Sequence, residues 1–174
     1  DLDAAGNLTA STDAYGVSRF FEYDADGNQT ATFFDWTNPD DPDDVRLVER
    51  NTEYDEAGRP VRQVDALGNA TVTRYTLTGK VDRTVDARGN VTAYVYDARE
   101  RRIETQHADG TVSRTVYDAN GRQVVTTDRH VPGTETDGTR TVRDKLGREV
   151  RRERLENVVV TVTQDPETEV WSSS

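Results

Sequence analysis

Read for hydrophobic and polar positions alone, the chain shows short alternating runs and no helical stripe. Thr92, Tyr94 and Tyr96 fall on one side of an extended segment, and Val91, Ala93 and Val95 on the other. That period of two is what a pleated strand imposes on its side chains. Similar runs, about five to seven residues long and rich in Val, Thr and Tyr, recur between clusters of turn-forming residues. They are too short for helices and have the composition of strands. Val61, Ile103, Val124 and Val150 share a common offset on the second strand of their units. Leu8 and Val81 sit one place off it, and Glu49, Asn51 and Glu53 are polar where other units are apolar, so register is least well specified there.

The runs are phased. Tyr54, Tyr75, Tyr96 and Tyr117 are spaced by 21 residues, and Gly58, Gly79 and Gly121 each follow their tyrosine by four, with Glu100 in that place in the remaining unit. A second mark falls eleven residues after the tyrosine, at Asp65, Asp86 and Asp128, with His107 replacing it once, and Gly68, Gly89 and Gly110 stand fourteen after. Tyr23 precedes Tyr54 by 31, so one unit carries ten additional residues, placed at Trp36 to Val45. Stepping by the period puts Leu2 and Arg143 in the tyrosine position at the two ends, with five extra residues between Asp128 and Thr139. Seven units therefore start at 2, 23, 54, 75, 96, 117 and 143, and two strands per unit predict fourteen.

The punctuation has a chemistry. The tetrad Asp-x-x-Gly occurs eight times, starting at Asp3, Asp13, Asp24, Asp55, Asp65, Asp86, Asp118 and Asp144, where composition alone gives about 1.5. Asp accepts local backbone N–H groups at the first turn position, and Gly takes a left-handed backbone at the fourth. Together they specify a type I turn closed by a G1 bulge, a common hairpin connection. The sequence thus predicts an all-β array of 21-residue hairpins over 1–152, with turns at 55–58, 65–68, 86–89 and 118–121. Beyond it, 153–174 holds one further strand, Val158 to Thr163, and a tail. Asn38 to Asp44 reads as a loop by its prolines and aspartates.

Composition narrows the function. Only 33% of residues are hydrophobic and 32% are charged, with a mean hydropathy of -0.87, so a conventional two-layer core is hard to fill. A net charge of -11 argues against a generic nucleic-acid binder and against anionic membrane surfaces. No run approaches the length of a spanning helix, and no secretory signal pattern opens the chain. Cysteine is absent, which removes disulfides, thiolate metal sites and cysteine nucleophiles. Methionine is absent too, even at position 1, which leads to the expectation of an internal piece of a longer chain.

With Tyr23-Asp24-Ala25-Asp26-Gly27-Asn28, Tyr54-Asp55-Glu56-Ala57-Gly58-Arg59 and Tyr117-Asp118-Ala119-Asn120-Gly121-Arg122 in hand, the chain resembles the YD-repeat or Rhs family over about residues 1–152. That family includes bacterial polymorphic toxins, shell components of insecticidal toxin complexes and the animal teneurins. The resemblance implies a β-sheet that spirals into a hollow shell around a cargo such as a C-terminal toxin domain, in a secreted or cell-surface protein. Its partners would be neighbouring repeats of the same longer chain and the enclosed domain, without nucleic acid or membrane insertion. The Asp-Pro-x-Gly-type motif tied to self-cleavage in family members has no match, since Asp165-Pro166 is followed by Glu167 and no Gly. Fourteen strands about 4.8 Å apart span roughly 67 Å, a ring only about 21 Å across. A folded 100-residue cargo needs roughly 30 Å or more, so this chain is expected to supply one part of a wall.

No residue is assigned a catalytic, cofactor-binding or metal role. Asp24 to Asn28 has alternating oxygen donors like a calcium loop, but its glycine stands fourth where such a loop needs it sixth. The spacing belongs to the turn. Asp40 to Asp44 reads as a solvated tip, and His107 and His130 lack metal-ligand spacing. The tyrosine column at 23, 54, 75, 96 and 117 could offer stacking surfaces to sugars, or pack as a same-face ladder within the sheet, which is the favoured expectation. Arg99-Glu100-Arg101-Arg102 and the arginines from 148 to 154 are interrupted by glutamates and predict salt-bridged strand faces. The rival to a shell wall is an adhesion or carbohydrate-binding module built on the same repeats; an enzyme is the third class, weakened because the titratable groups follow the turn period.

Overall fold

The computed structural model describes residues 1–38, 41–160 and 171–173, of which 35–38, 41–46 and 171–173 are considered as backbone only. The chain forms two compact units, residues 1–74 with 85–89, and residues 75–84 with 90–174. Among the described residues there is no helix. The strands are β1 (Ala10–Thr12), β2 (Ser18–Tyr23), β3 (Gln29–Asn38), β4 (Asp41–Tyr54), β5 (Pro60–Asp65), β6 (Ala70–Tyr75) and β7 (Val81–Val85). They continue as β8 (Val91–Tyr96), β9 (Arg102–Gln106), β10 (Val112–Tyr117), β11 (Gln123–Thr127), β12 (Thr136–Arg143), β13 (Glu149–Val160) and β14 (Trp171–Ser173). Within each unit, strand order is chain order and the pairing is antiparallel. The all-β hairpin fold expected from the period is present.

In the first unit the buried side chains come from the middle of the sheet. Phe20 and Phe33 are register partners, and their rings stack at 5.6 Å with planes 16° apart. Ala31 and Phe33 are buried beside them. The ten additional residues do not form the predicted loop. They lengthen the hairpin: Trp36 pairs with Val45 and Asn38 with Asp41, so β3 and β4 extend into the insertion, with the register shifting between Thr32 and Phe33 and again between Trp36 and Asn38. Such shifts absorb residues that do not pair one for one. Turn-forming composition alone could not reveal that. Pro39 and Asp40, at the centre of the predicted loop, lie outside the described residues.

In the second unit the sheet curls over itself. Val116 of β10 and Val125 of β11 pack against Val158 and Val160 at the end of β13, with Leu155 and Val124 alongside. Arg114 of β10 donates its guanidinium N–H to the Val160 carbonyl and pairs with Glu104 of β9 at 2.7 Å. Val158 to Val160 therefore continue β13 and do not begin a separate strand; Thr161 to Thr163 and the Asp165-Pro166 pair lie outside the described residues. The core stays small. Across the described residues only eight hydrophobic residues are buried, and only Ile103 and Val160 fully so, which a predominantly single-layer sheet permits.

Candidate functional site: the stapled turn edge

The turns that follow the tyrosine position occupy one edge of the hairpins in each unit, and their geometry is repeated almost atom for atom. At residues 24–28 the Asp24 N–H donates to the Asn28 carbonyl at 3.0 Å and the Gly27 N–H to the Asp24 carbonyl at 3.1 Å, with Gly27 at φ 84°. These are the bonds of a type I turn closed by a G1 bulge. The same pair of bonds closes the turns starting at Asp3, Asp55, Asp65, Asp118 and Asp144, so the predicted turns at 55–58, 65–68 and 118–121 are in place. At 86–89 the Gly89 N–H donates to the Asp86 carbonyl at 2.9 Å.

The aspartate does more than open the turn. Asp24 Oδ1 accepts the N–H groups of Asp26 and Asn28, and Oδ2 accepts the Asn28 side-chain amide at 2.9 Å. Asp55 and Arg59, Asp97 and Arg101, and Asp144 and Arg148 repeat the arrangement with a guanidinium as the last donor. That explains the fifth residue of the repeat, Asn or Arg, which turn geometry alone leaves unconstrained. The Asn28 amide, Arg59 guanidinium and Asn69 amide hold the carboxyls of Asp24, Asp55 and Asp65 below the usual carboxylate range. Burial opposes the same shift at Asp97, whose side chain is fully enclosed, but the Arg101 N–H and guanidinium outweigh it.

The tyrosines act by their hydroxyls. Tyr23 O–H donates to the Leu8 carbonyl, Tyr54 to Gln29, Tyr96 to Val81 and Tyr117 to Arg102, at 2.9 to 3.1 Å. Each acceptor stands two residues beyond the left-handed position of the preceding turn. The reason lies in the pairing. Strands joined at the opposite edge without the long insertion keep three rungs, as in β1–β2 and β9–β10, and in these as in the longer β3–β4 ladder the pairing ends at the same distance from the tyrosine. The tyrosine three residues past the last rung reaches the carbonyl that pairing has left behind. The expectation of a ring ladder missed this, because an O–H reaching into the previous repeat leaves no mark on strand periodicity.

Neighbouring turns also touch. In the first unit, the space a side chain on Gly58 would enter is already approached by the Asn28 amide oxygen. In the second, Arg101 lies over Gly121 and over the Tyr117 ring, 4.3 Å from its centroid, and Arg122 occupies the space beside Gly147. Arg99 donates to the Ala119 carbonyl at 3.2 Å. Glu100, which replaces glycine, keeps the left-handed backbone at φ 60° and faces Lys80 of the preceding turn at 3.7 Å.

The other candidates are absorbed into the same scaffold. His107 heads a turn in which Asp109 takes over as acceptor of the Thr111 N–H and hydroxyl, and the imidazole Nε2 stands 3.1 Å from Ser113 Oγ. His130 is buried, bridged to Val112 through both backbones, with Nδ1 at 2.8 Å from the Asp128 carbonyl. The two histidines are not brought into one cluster with acids: among the described residues, no three His, Asp or Glu side chains are placed to hold a metal ion. The arginine runs are paired, Arg148 with Asp144, Arg152 with Glu149, Arg151 with Glu153 and Arg154 with Asp137. Among the described residues no helix is long and apolar enough to cross a membrane.

Comparison with known proteins places this arrangement. Residues 3–32 match the RHS Repeat family. Two crystal structures, of TcdB2-TccC3-Cdc42 and of TcdB2-TccC3-TEV, share the fold over 94% of the chain, with TM-scores of 0.73 and 0.72 at 16% identity. The chain covers 10% of the length of each. No curated protein matches it in sequence.

Proposed function

We propose that this RHS-repeat array is a wall segment of a hollow shell that encloses a cargo such as a toxin domain. The observation that carries the reading is the likeness in fold to TcdB2-TccC3 assemblies along almost the whole chain. The physical reason is the way polar groups are spent: turn carboxylates, fifth-position side chains and tyrosine hydroxyls close hairpins onto one another. Such an array excludes and supports. Among the described residues the histidines and acids are not gathered into one cluster, as acid–base or nucleophilic chemistry would favour, so the segment is read as non-catalytic. Its partners are the adjoining repeats of a longer, secreted or surface-exposed protein and the domain within. Nucleic acid and membrane insertion play no part in this reading.

The adhesion alternative is a module that displays segments such as 36–45 and 128–139, with the tyrosine column as a stacking platform for sugars. With Tyr23, Tyr54, Tyr96 and Tyr117 tied to backbone carbonyls, that platform is weakened. The deciding experiment uses the full-length protein: limited proteolysis of its enclosed domain, with and without the double change Tyr96→Phe and Tyr117→Phe. A wall predicts protection in the parent and faster cleavage of the cargo in the variant. Equal and rapid cleavage in both would overturn enclosure, and saturable glycan binding lost with the tyrosines would favour adhesion.

A further inference from the structure

One seam of the second unit departs from the staple rule. Between β11 and β12 the rungs are Thr127 with Gly138, Thr126 with Thr139, and Val125 with Arg140. The residue three past the last rung is Arg143, where the five repeats before it have tyrosine, and the acceptor two before the last rung would be the Gln123 carbonyl. Arg143 does not reach it. Its guanidinium turns to its own hairpin and donates to the Gly147 carbonyl at 3.3 Å. The two strands diverge around an open groove of about 470 Å³, lined by Val124, Val125 and Val142 together with Arg122, Arg140, Arg143 and Lys145.

The charges of this groove are unbalanced. Its two acids, Asp118 and Asp144, are already committed to turn N–H groups, and Asp144 also to the Arg148 guanidinium at 2.8 Å. Arg122 lies 3.7 Å from Asp118, long for an ion pair, whereas Arg140 is already engaged, with Glu153 at 3.9 Å. Lys145 has no acidic partner among the described residues. Three cations, Arg122, Arg143 and Lys145, thus stand beside valines of the groove in a chain whose net charge is -11.

The geometry points to a binding groove for an acidic peptide segment, lying between β11 and β12 with its carboxylates on Arg143, Lys145 and Arg122. Carboxylates suit the planar fork of arginine, and the valines of the groove suit the aliphatic stems between them. A groove running along two diverging strands fits an extended chain, and its volume is within the roughly 300 to 1,000 Å³ of ordinary ligand sites. A phosphate group would use the cations but not the valines. The inference stands apart from the shell reading, since the groove would be present in an adhesion module as well.

The test is amide-resonance titration of the 174-residue chain with a capped Glu-Val-Glu-Val-Glu peptide, its Gln-Val-Gln-Val-Gln counterpart, and inorganic phosphate. Saturable shifts at 122–125 and 140–145 are expected with the glutamate peptide alone. Binding should weaken by about tenfold or more in Arg143→Gln/Lys145→Gln and stay unchanged in Arg83→Gln, an exposed cation outside the groove. Arg143→Tyr supplies the missing staple, so it should keep the fold, close the seam and abolish binding. Equal binding of the glutamine peptide, phosphate shifting these resonances while the peptide does not, equal loss in Arg83→Gln, or undiminished binding in Arg143→Tyr would each overturn the proposal.

Discussion

Glu100 shows how far a single position can depart from the repeat and still fold. A side chain in the left-handed region costs roughly 1–2 kcal/mol in L-residues, whereas the exposed contact with Lys80 returns little. Glu100→Gly should therefore raise stability by about 0.5–1 kcal/mol, read as a higher urea midpoint with unchanged slope. A lower midpoint would mean that the link to Lys80 carries more than an exposed pair should. The opposite change, Gly121→Val or Gly58→Val, puts a β-branched residue at positive φ and should cost about 1–3 kcal/mol. The carboxyls bring a pH dependence. Asp24, Asp55, Asp65 and Asp144 have folded values held below those of free aspartate. Their stabilisation is fully present above the unfolded value of about 3.9 and is lost as pH falls through the folded ones. Urea midpoints should be level near neutrality and decline below about pH 4; a flat profile to pH 2 would refute the carboxylate account.

At the scale of the element, the recurrent unit is two hairpin strands, a turn and a tyrosine that reaches back into the previous repeat. Removing one hydroxyl leaves a backbone carbonyl without its donor, a loss of about 0.5–1.5 kcal/mol when the site is dry and less where water replaces the bond. Tyr96 makes the more enclosed of these bonds and Tyr23 an exposed one. Tyr96→Phe should lower the urea midpoint clearly and Tyr23→Phe barely; equal effects would show that the ring, not the hydroxyl, does the holding. Much of this element was legible in the sequence. Asp and Gly specify turn type because they act within five residues, and the period of 21 specifies where the hairpins fall, although the first repeat forms only an isolated bridge at Leu2 and Leu8, leaving thirteen strands starting within 1–152. The tyrosine bond, the seating of Arg122 beside Gly147 and the extended hairpin over the insertion were not legible. Each depends on how one repeat meets the next, and that register is invisible to a pattern read one strand at a time. The gap at Arg143 could have been anticipated, since the tyrosine is missing from its phase, but only once the tyrosine's role was known.

The whole molecule should behave as a row of nearest-neighbour units, because the staples and turn contacts described run from one hairpin to the next. That makes length negotiable and phase strict. Excising 54–74 joins Glu53 to Tyr75, places one tyrosine where another stood, and puts Thr76 to Gly79 in the place of the Asp55 to Gly58 turn. Thr76 already closes its own turn, accepting the Lys80 N–H at 3.1 Å. Tyr75 would then fall in register to serve the Gln29 carbonyl that Tyr54 now serves, and the fully buried hydrophobic residues all lie outside the excised stretch. Excising 54–63 removes about half a period, so the turn chemistry of one edge would arrive at the other and strands would meet the wrong partners. The full-period deletion should give a soluble protein with strand-type circular dichroism and a cooperative melt. The half-period deletion should aggregate or lose cooperativity, even though it removes fewer residues. If both variants melted alike, stability would reside in local hairpins independent of their neighbours. The proposed wall would then lack the repeat-to-repeat coupling that enclosure of a cargo would require.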